Sequence, residues 1–414
     1  MTGGPGADIE GGRFHYGWVV VAATFVVLFF GFGAAYSFGA FFVPLQSEFG
    51  ATRGETSLVF SIAGALFFFL GIVSGRLSDR FGVRPVAAFG VVCAGAGLIS
   101  SGVAETLSQV YLAFGIGIGF GVGFSYVTTV GTVQRWFVRR RGLASGFAVA
   151  GIGAGTVAMP IAAAAVIDAW NWRTAYISMG IATLVCGLAA AAFLVHSPDR
   201  GVRPSATGDG MTLSEAIRTR PFLLIFTGYL FSSFGNFVPL VHLVPYAADR
   251  GIDAARGALL LGLIGVGSTA GRFVLGGLAD RFGRKRSLAV AFAGIGVSAL
   301  WWLASDSVWQ LALFALVMGT CYGGYVALGP AVVADYFGTR HVSAILGAIY
   351  TGAGVGMLFG PTLAGLAYDA LRSYTLPIAG CAAAALGAGL MVFLAEDPAR
   401  FRAARDEAAR EERE

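Results

Sequence analysis

Charge is what this 414-residue sequence has least of. Asp, Glu, Lys and Arg together make up 12% of it, against about a quarter in soluble domains, which excludes an ordinary water-soluble domain. Lysine is reduced to Lys285 alone, and histidine to four residues. The four cysteines (Cys93, Cys186, Cys321 and Cys381) fall singly in separate apolar stretches. That distribution supports neither a disulfide framework nor a zinc site. Glycine-rich phosphate loops and nucleophile–base spacings are missing as well, so no enzyme, cofactor or metal is expected.

What is present is apolar. Hydrophobic residues make up 56% of the chain, which has 62 glycines and a mean hydropathy of +0.74. Stretches of about 18 apolar residues or more read as transmembrane helices. Twelve are found, near 17–43, 57–75, 86–104, 108–132, 142–167, 174–195, 222–246, 257–279, 288–304, 309–333, 342–368 and 374–394. The first is too long for a signal-peptide core and lacks a small-residue cleavage site, so it counts as a span. The sequence therefore predicts an all-α membrane protein lying in a lipid bilayer.

Arginine sets the orientation. Arg53, Arg173, Arg250, Arg256 and Arg372 fall in loops on one side, Arg272 falls inside a span, and the other cations lie with the termini. Positive residues gather in the cytoplasm, so both termini are expected there and the membrane is expected to be a plasma (inner) membrane. The net charge of +5 follows from this topology and does not argue for a nucleic-acid partner.

The chain is written twice. At an offset of 201 residues Gly50 meets Gly251, Gly75 meets Gly276, Asp79-Arg80-Phe81-Gly82 meets Asp280-Arg281-Phe282-Gly283, and Pro160 meets Pro361. Six spans return the chain to its starting side, so the two bundles are related by a pseudo-two-fold along the membrane normal, as in transporters whose halves rock about a midplane site. The expected domains are 1–195 and 221–395, joined by a polar linker at 196–220 and followed by a charged tail at 396–414.

Positions where the two copies differ in chemistry are better candidates for function than shared ones. Arg272 faces Gly71 in the first copy, so the repeat does not demand it. A charge within a span costs a few kcal/mol or more. None of the 23 acidic residues is central to a span, and guanidinium keeps its proton. A water-filled cavity and an anionic substrate answer both problems, because the planar fork fits a carboxylate bidentately. One central cation points to one negative charge on the substrate. Ser268, one turn earlier on the same helix face, is expected to assist. His242 faces Phe41 in the first copy and is a candidate proton acceptor or outer-gate residue.

The motifs GRLSDRFGVR (75–84) and GGLADRFGRK (276–285) resemble the loop 2–3 and loop 8–9 signature of the major facilitator superfamily. The resemblance implies that Asp79, Arg80, Asp280 and Arg281 form a cytoplasmic gate that latches the outward-open state. Three further motifs, HYGWVVV (15–21), WFVRRRGLASGFAVAGIGAG (136–155) and VHLVPYAADRGI (241–252), are similar to the monocarboxylate transporter and oxalate–formate exchanger branch. Facilitator cavities are lined largely by spans 1, 4, 7 and 10, which makes Tyr36, Tyr126, Asn236, Tyr322, Tyr325 and also Tyr350 (span 11) candidate lining groups. The branch pattern is not complete. Ser268 stands where animal members have an aspartate, Ala40 where they have a lysine, and Gly352 and Ala353 where the oxalate exchangers have one. The expected function is secondary transport of a small monocarboxylate such as lactate, pyruvate or formate by a protein working as a monomer, with proton symport. The alternative is organic-anion exchange, and a transport-dead sensor or scaffold is a more distant one.

Overall fold

The computed structural model describes residues 16–137, 141–195, 210–338 and 340–411. Most of the expected linker (196–209) and Arg139 and Arg140 of the basic run lie outside them. Among the described residues twelve helices are long and apolar enough to cross a bilayer, the form in which backbone polar groups pair within their own segment. In the first half these are span 1 (Gly17–Phe49), span 2 (Arg53–Phe81), span 3 (Val83–Gly102), span 4 (Leu107–Trp136), span 5 (Arg141–Ala169) and span 6 (Trp172–Ala192). The second half holds span 7 (Arg220–Ala248), span 8 (Ala254–Phe282), span 9 (Arg284–Leu303), span 10 (Val308–Phe337), span 11 (Val342–Leu371) and span 12 (Thr375–Leu394).

The repeat is visible in the packing. Spans 1, 2 and 3 pack on spans 5, 4 and 6, as spans 7, 8 and 9 pack on spans 11, 10 and 12. Between the halves span 2 meets span 11 and span 8 meets span 5, and the repeat exchanges these two contacts. The shared glycines have a backbone reason. Gly50 and Gly251 end spans 1 and 7 at φ 60° and 72°, and Gly82 and Gly283 end spans 2 and 8 at φ 98° and 90°, conformations that cost glycine little. The outer spans keep large apolar side chains exposed, among them Val185, Val290 and Phe393, as a surface facing lipid requires.

The charged tail is docked onto the bundle. It is a helix, Pro398–Glu411, but it is not simply solvated: Phe401 packs against Tyr336 and Phe337, with ring centroids 6.0 and 6.2 Å apart.

Candidate functional site

Arg272 lies ten residues before the end of span 8, about 15 Å at the helical rise, and so near the middle of a ~30 Å hydrocarbon layer. Its position is set by glycine. A Cβ on Gly271 would overlap the Thr320 carbonyl oxygen, and one on Gly323 would overlap the Ser268 carbonyl oxygen. Spans 8 and 10 therefore touch backbone to backbone here, as small residues permit. Gly323→Val is expected to force them apart at a cost of about 1–3 kcal/mol, read as a lowered Tm of the detergent-purified protein. Gly380→Ala, where an added methyl meets nothing, is the control that should leave Tm unchanged.

The half-buried guanidinium reaches across to the other half, where Nη1 donates to the Val149 carbonyl of span 5 at 2.7 Å. Nε is buried with no hydrogen-bond partner, and Nη2 makes none among the described residues. Nε–H and Nη2–H point the same way, so the unused edge is a two-donor fork of the kind a carboxylate accepts. Among the described residues no carboxylate pairs with Arg272. Ser268 is buried and its hydroxyl is unpartnered.

Tyrosines close around the charge. Tyr36 of span 1 and Tyr322 of span 10 join hydroxyls across the halves at 2.8 Å, and the guanidinium acts electrostatically on both and on Tyr126. Tyr126 packs on Phe32, which also touches Tyr36. Tyr325 stacks edge-on against Tyr322 and Tyr229, and Tyr350 lies against Tyr229 and Phe68. Both amide atoms of Asn236 are buried without a partner. Phe237, beside it in the chain, touches Phe68. The expected tyrosines thus gather on both sides of the interface. Tyr229, which was not anticipated, sits among them.

The gate residues are arranged differently. Asp79 accepts from Arg135 Nη2 at 2.6 Å, a well-exposed pair within the first half. Arg80 and Arg281 lie over the rings of Phe81 and Phe282, and the side chain of Asp280 is outside the described set. The described hydrogen bonds and ion pairs at this end of the bundle stay within one half.

The opposite end carries a further set of bonds that join the halves, and the sequence reading missed most of them. Asp369 of span 11 accepts the Arg53 and Gly54 backbone N–H groups at 2.9 and 2.8 Å. A carboxylate from one half thereby caps a helix of the other, where the helix dipole favours it. The Arg53 side chain donates to Asp249 at 2.6 Å and to the Tyr374 hydroxyl at 2.7 Å, with its guanidinium 3.8 Å from the Tyr368 ring centroid. His242 lies beneath, fully buried. Its Nδ1 is 3.0 Å from the Tyr374 hydroxyl, and its Nε2 is 2.8 Å from the Pro361 carbonyl and 3.1 Å from Ser57 Oγ. One repeat-based signal was available, because Arg53 faces Ala254 in the second copy. Among the described residues, this end carries a latch of ion-paired and hydrogen-bonded groups between the halves.

Comparison with known proteins agrees with this architecture. The family description Major Facilitator Superfamily matches residues 24–281 and 225–412. Human monocarboxylate transporter 11 is 32% identical over 388 residues, which cover 91% of this chain and 81% of the relative. Rat monocarboxylate transporter 3 is 31% identical over 373 residues, covering 87% and 76%. Among solved structures, a bacterial homolog of the human lysosomal transporter Spinster, inward-facing and unoccupied, aligns with a TM-score of 0.70 at 15% identity, covering 93% of this chain and 96% of that one. The peptide transporter POT, in complex with sulfate, aligns at 0.73 and 15% identity, covering 90% and 93%. At that identity the structures speak for the fold alone.

Proposed function

Since the chain belongs to the Major Facilitator Superfamily, in its monocarboxylate transporter branch, and that is a family of transporters and not of enzymes, we propose that it carries small monocarboxylates across a plasma (inner) membrane by alternating access, with both termini in the cytoplasm. One observation carries the reading: Arg272 presents an unused Nε–Nη2 edge near mid-membrane, with no carboxylate among the described residues to satisfy it. A carboxylate seated there neutralises the charge. Ser268 supplies a free hydroxyl one turn away, and the Tyr36–Tyr322 pair joins the two halves nearby. Tyr126, Asn236, Tyr325 and Tyr350 complete the proposed lining.

In this reading His242 takes a role in proton coupling at the outer gate, supported by its hydrogen bonds beside Arg53. Ser57 Oγ already donates to the Arg53 carbonyl at 2.6 Å, so both groups facing Nε2 can accept, and Nε2 carries the ring proton. Tyr374 accepts from Arg53 and donates to Nδ1. A second proton on the ring would displace the Tyr374 donor and set a new positive charge beside Arg53, whose own charge is already met by Asp249, with Asp369 at its backbone and Tyr368 over its face. Protonation from outside thus opposes the latched arrangement and favours opening outward. Asp79, Arg80, Asp280 and Arg281 would form the corresponding latch on the cytoplasmic side in the outward-open state.

The test is uptake of labelled lactate into proteoliposomes under an imposed pH gradient. Uptake is expected to follow the gradient in the wild type. In His242→Gln the acceleration by external acid should be lost while exchange at equal pH continues. Unchanged acid stimulation in the variant removes His242 from coupling. Strict dependence on an acid preloaded inside would point instead to exchange.

A further inference from the structure

A cavity of about 800 Å³ opens at the end of the bundle that bears the termini, between the start of span 9 and the tail helix. Five cations line it: Arg284, Lys285, Arg286, Arg400 and Arg402. Two carboxylates also line it, and both are engaged. Asp335 takes Arg284 at 2.9 Å, and Asp397 accepts the Ala399 N–H at 3.0 Å, capping the tail helix. Lys285 bonds the Ala395 carbonyl and reaches over the Phe393 ring. Arg286, Arg400 and Arg402 are left without an ion pair among the described residues.

The repeat separates architecture from addition here. Arg84 bonds the Leu194 carbonyl, the equivalent of the Lys285–Ala395 bond, so that contact belongs to the fold. Arg284 and Arg286, however, stand where the first copy has Val83 and Pro85. A topogenic charge needs only to be on the correct side; it does not need a concave site. The tail that brings Arg400 and Arg402 is held in place by Phe401 on Tyr336 and Phe337.

We propose that this cavity binds the phosphate headgroup of an anionic phospholipid. The wall beside the cations distinguishes a lipid from a soluble anion. Phe393 and Leu394, at the end of peripheral span 12, are 63% and 54% exposed, forming an apolar track toward the bilayer along which an acyl chain can lie. Basic pockets of this kind at the ends of transmembrane helices are built for such headgroups.

The full-length protein, purified in detergent, is mixed with vesicles of phosphatidylglycerol or of phosphatidylcholine, and retained lipid is read by native mass spectrometry. Wild type is expected to retain phosphatidylglycerol roughly a hundredfold better than R286Q/R400Q/R402Q. The charge-preserving R286K/R400K/R402K should keep most of that preference, separating charge from misfolding. R256Q, a charge removal at the opposite end, should match wild type. Equal retention of phosphatidylglycerol by wild type and the glutamine variant overturns the proposal. Binding of inorganic phosphate with no preference between the two lipids overturns it too, in favour of a soluble anion.

Discussion

Arg272→Gln is expected to abolish uptake. Glutamine keeps one donor near the guanidinium position but loses the charge and the two-donor edge. Removing one partner of a desolvated, hydrogen-bonded charge pair costs about 2–5 kcal/mol, so substrate affinity should fall by at least about thirtyfold. Arg272→Lys separates the two contributions. It restores the charge as a compact ammonium without the planar fork, and uptake should recover in part, with a raised KM. Because Nη1 also ties Arg272 to Val149 in the other half, the variant protein should additionally change how readily the halves separate. Initial rates measured across substrate concentration distinguish these effects. A loss confined to KM reports binding, whereas a fall in maximal rate reports the conformational cycle.

The second large effect is expected at the outer latch. Arg53→Gln removes the guanidinium bonds to Asp249 and Tyr374 and leaves the backbone N–H bonds to Asp369 in place. Charge-assisted hydrogen bonds contribute about 1.5–3 kcal/mol each, and the pair here is only partly exposed, 9% at Arg53 and 32% at Asp249. A net loss of about 1–3 kcal/mol would shift the balance toward the outward-open state by about 5- to 150-fold. Hydrogen–deuterium exchange should then rise at the first turn of span 2 and the last turn of span 11, and fall at the starts of spans 3 and 9, where the cytoplasmic latch closes. Asp249→Asn should act in the same direction. Protection equal to wild type in both variants would mean that backbone capping by Asp369 holds this end shut alone.

The two predictions differ in how much of their basis was visible before the structure. Arg272 stands out in sequence because lipid makes an intramembrane cation costly, and because the repeat supplies an internal control that lacks it. The twelve spans and the paired motifs are legible for similar reasons: apolar length and repeated glycines report local backbone needs, such as the positive φ at Gly82 and Gly283. The latch was hidden because its members are far apart in the chain. Arg53 and Asp369 are separated by 316 residues and Arg53 and Tyr374 by 321, and nothing local to Arg53 announces either partner. His242 was half visible, as an asymmetry at the outer end of span 7, while its neighbours Ser57, Pro361 and Tyr374 were not. The tyrosines had the opposite difficulty. Their positions in spans 1, 4, 10 and 11 were plain, but rotation about each helix axis depends on contacts such as Gly271 on Thr320, which a single sequence does not specify.

The central claim is that Arg272 reads a single negative charge on the substrate, and equilibrium binding to the purified protein tests it most directly. Lactate is titrated against lactamide, its uncharged amide, for wild type and for Arg272→Gln. The account requires that wild type bind lactate and not lactamide, and that the variant lose lactate binding while remaining folded. Equal binding of the acid and the amide, or full lactate affinity without the arginine, would contradict it.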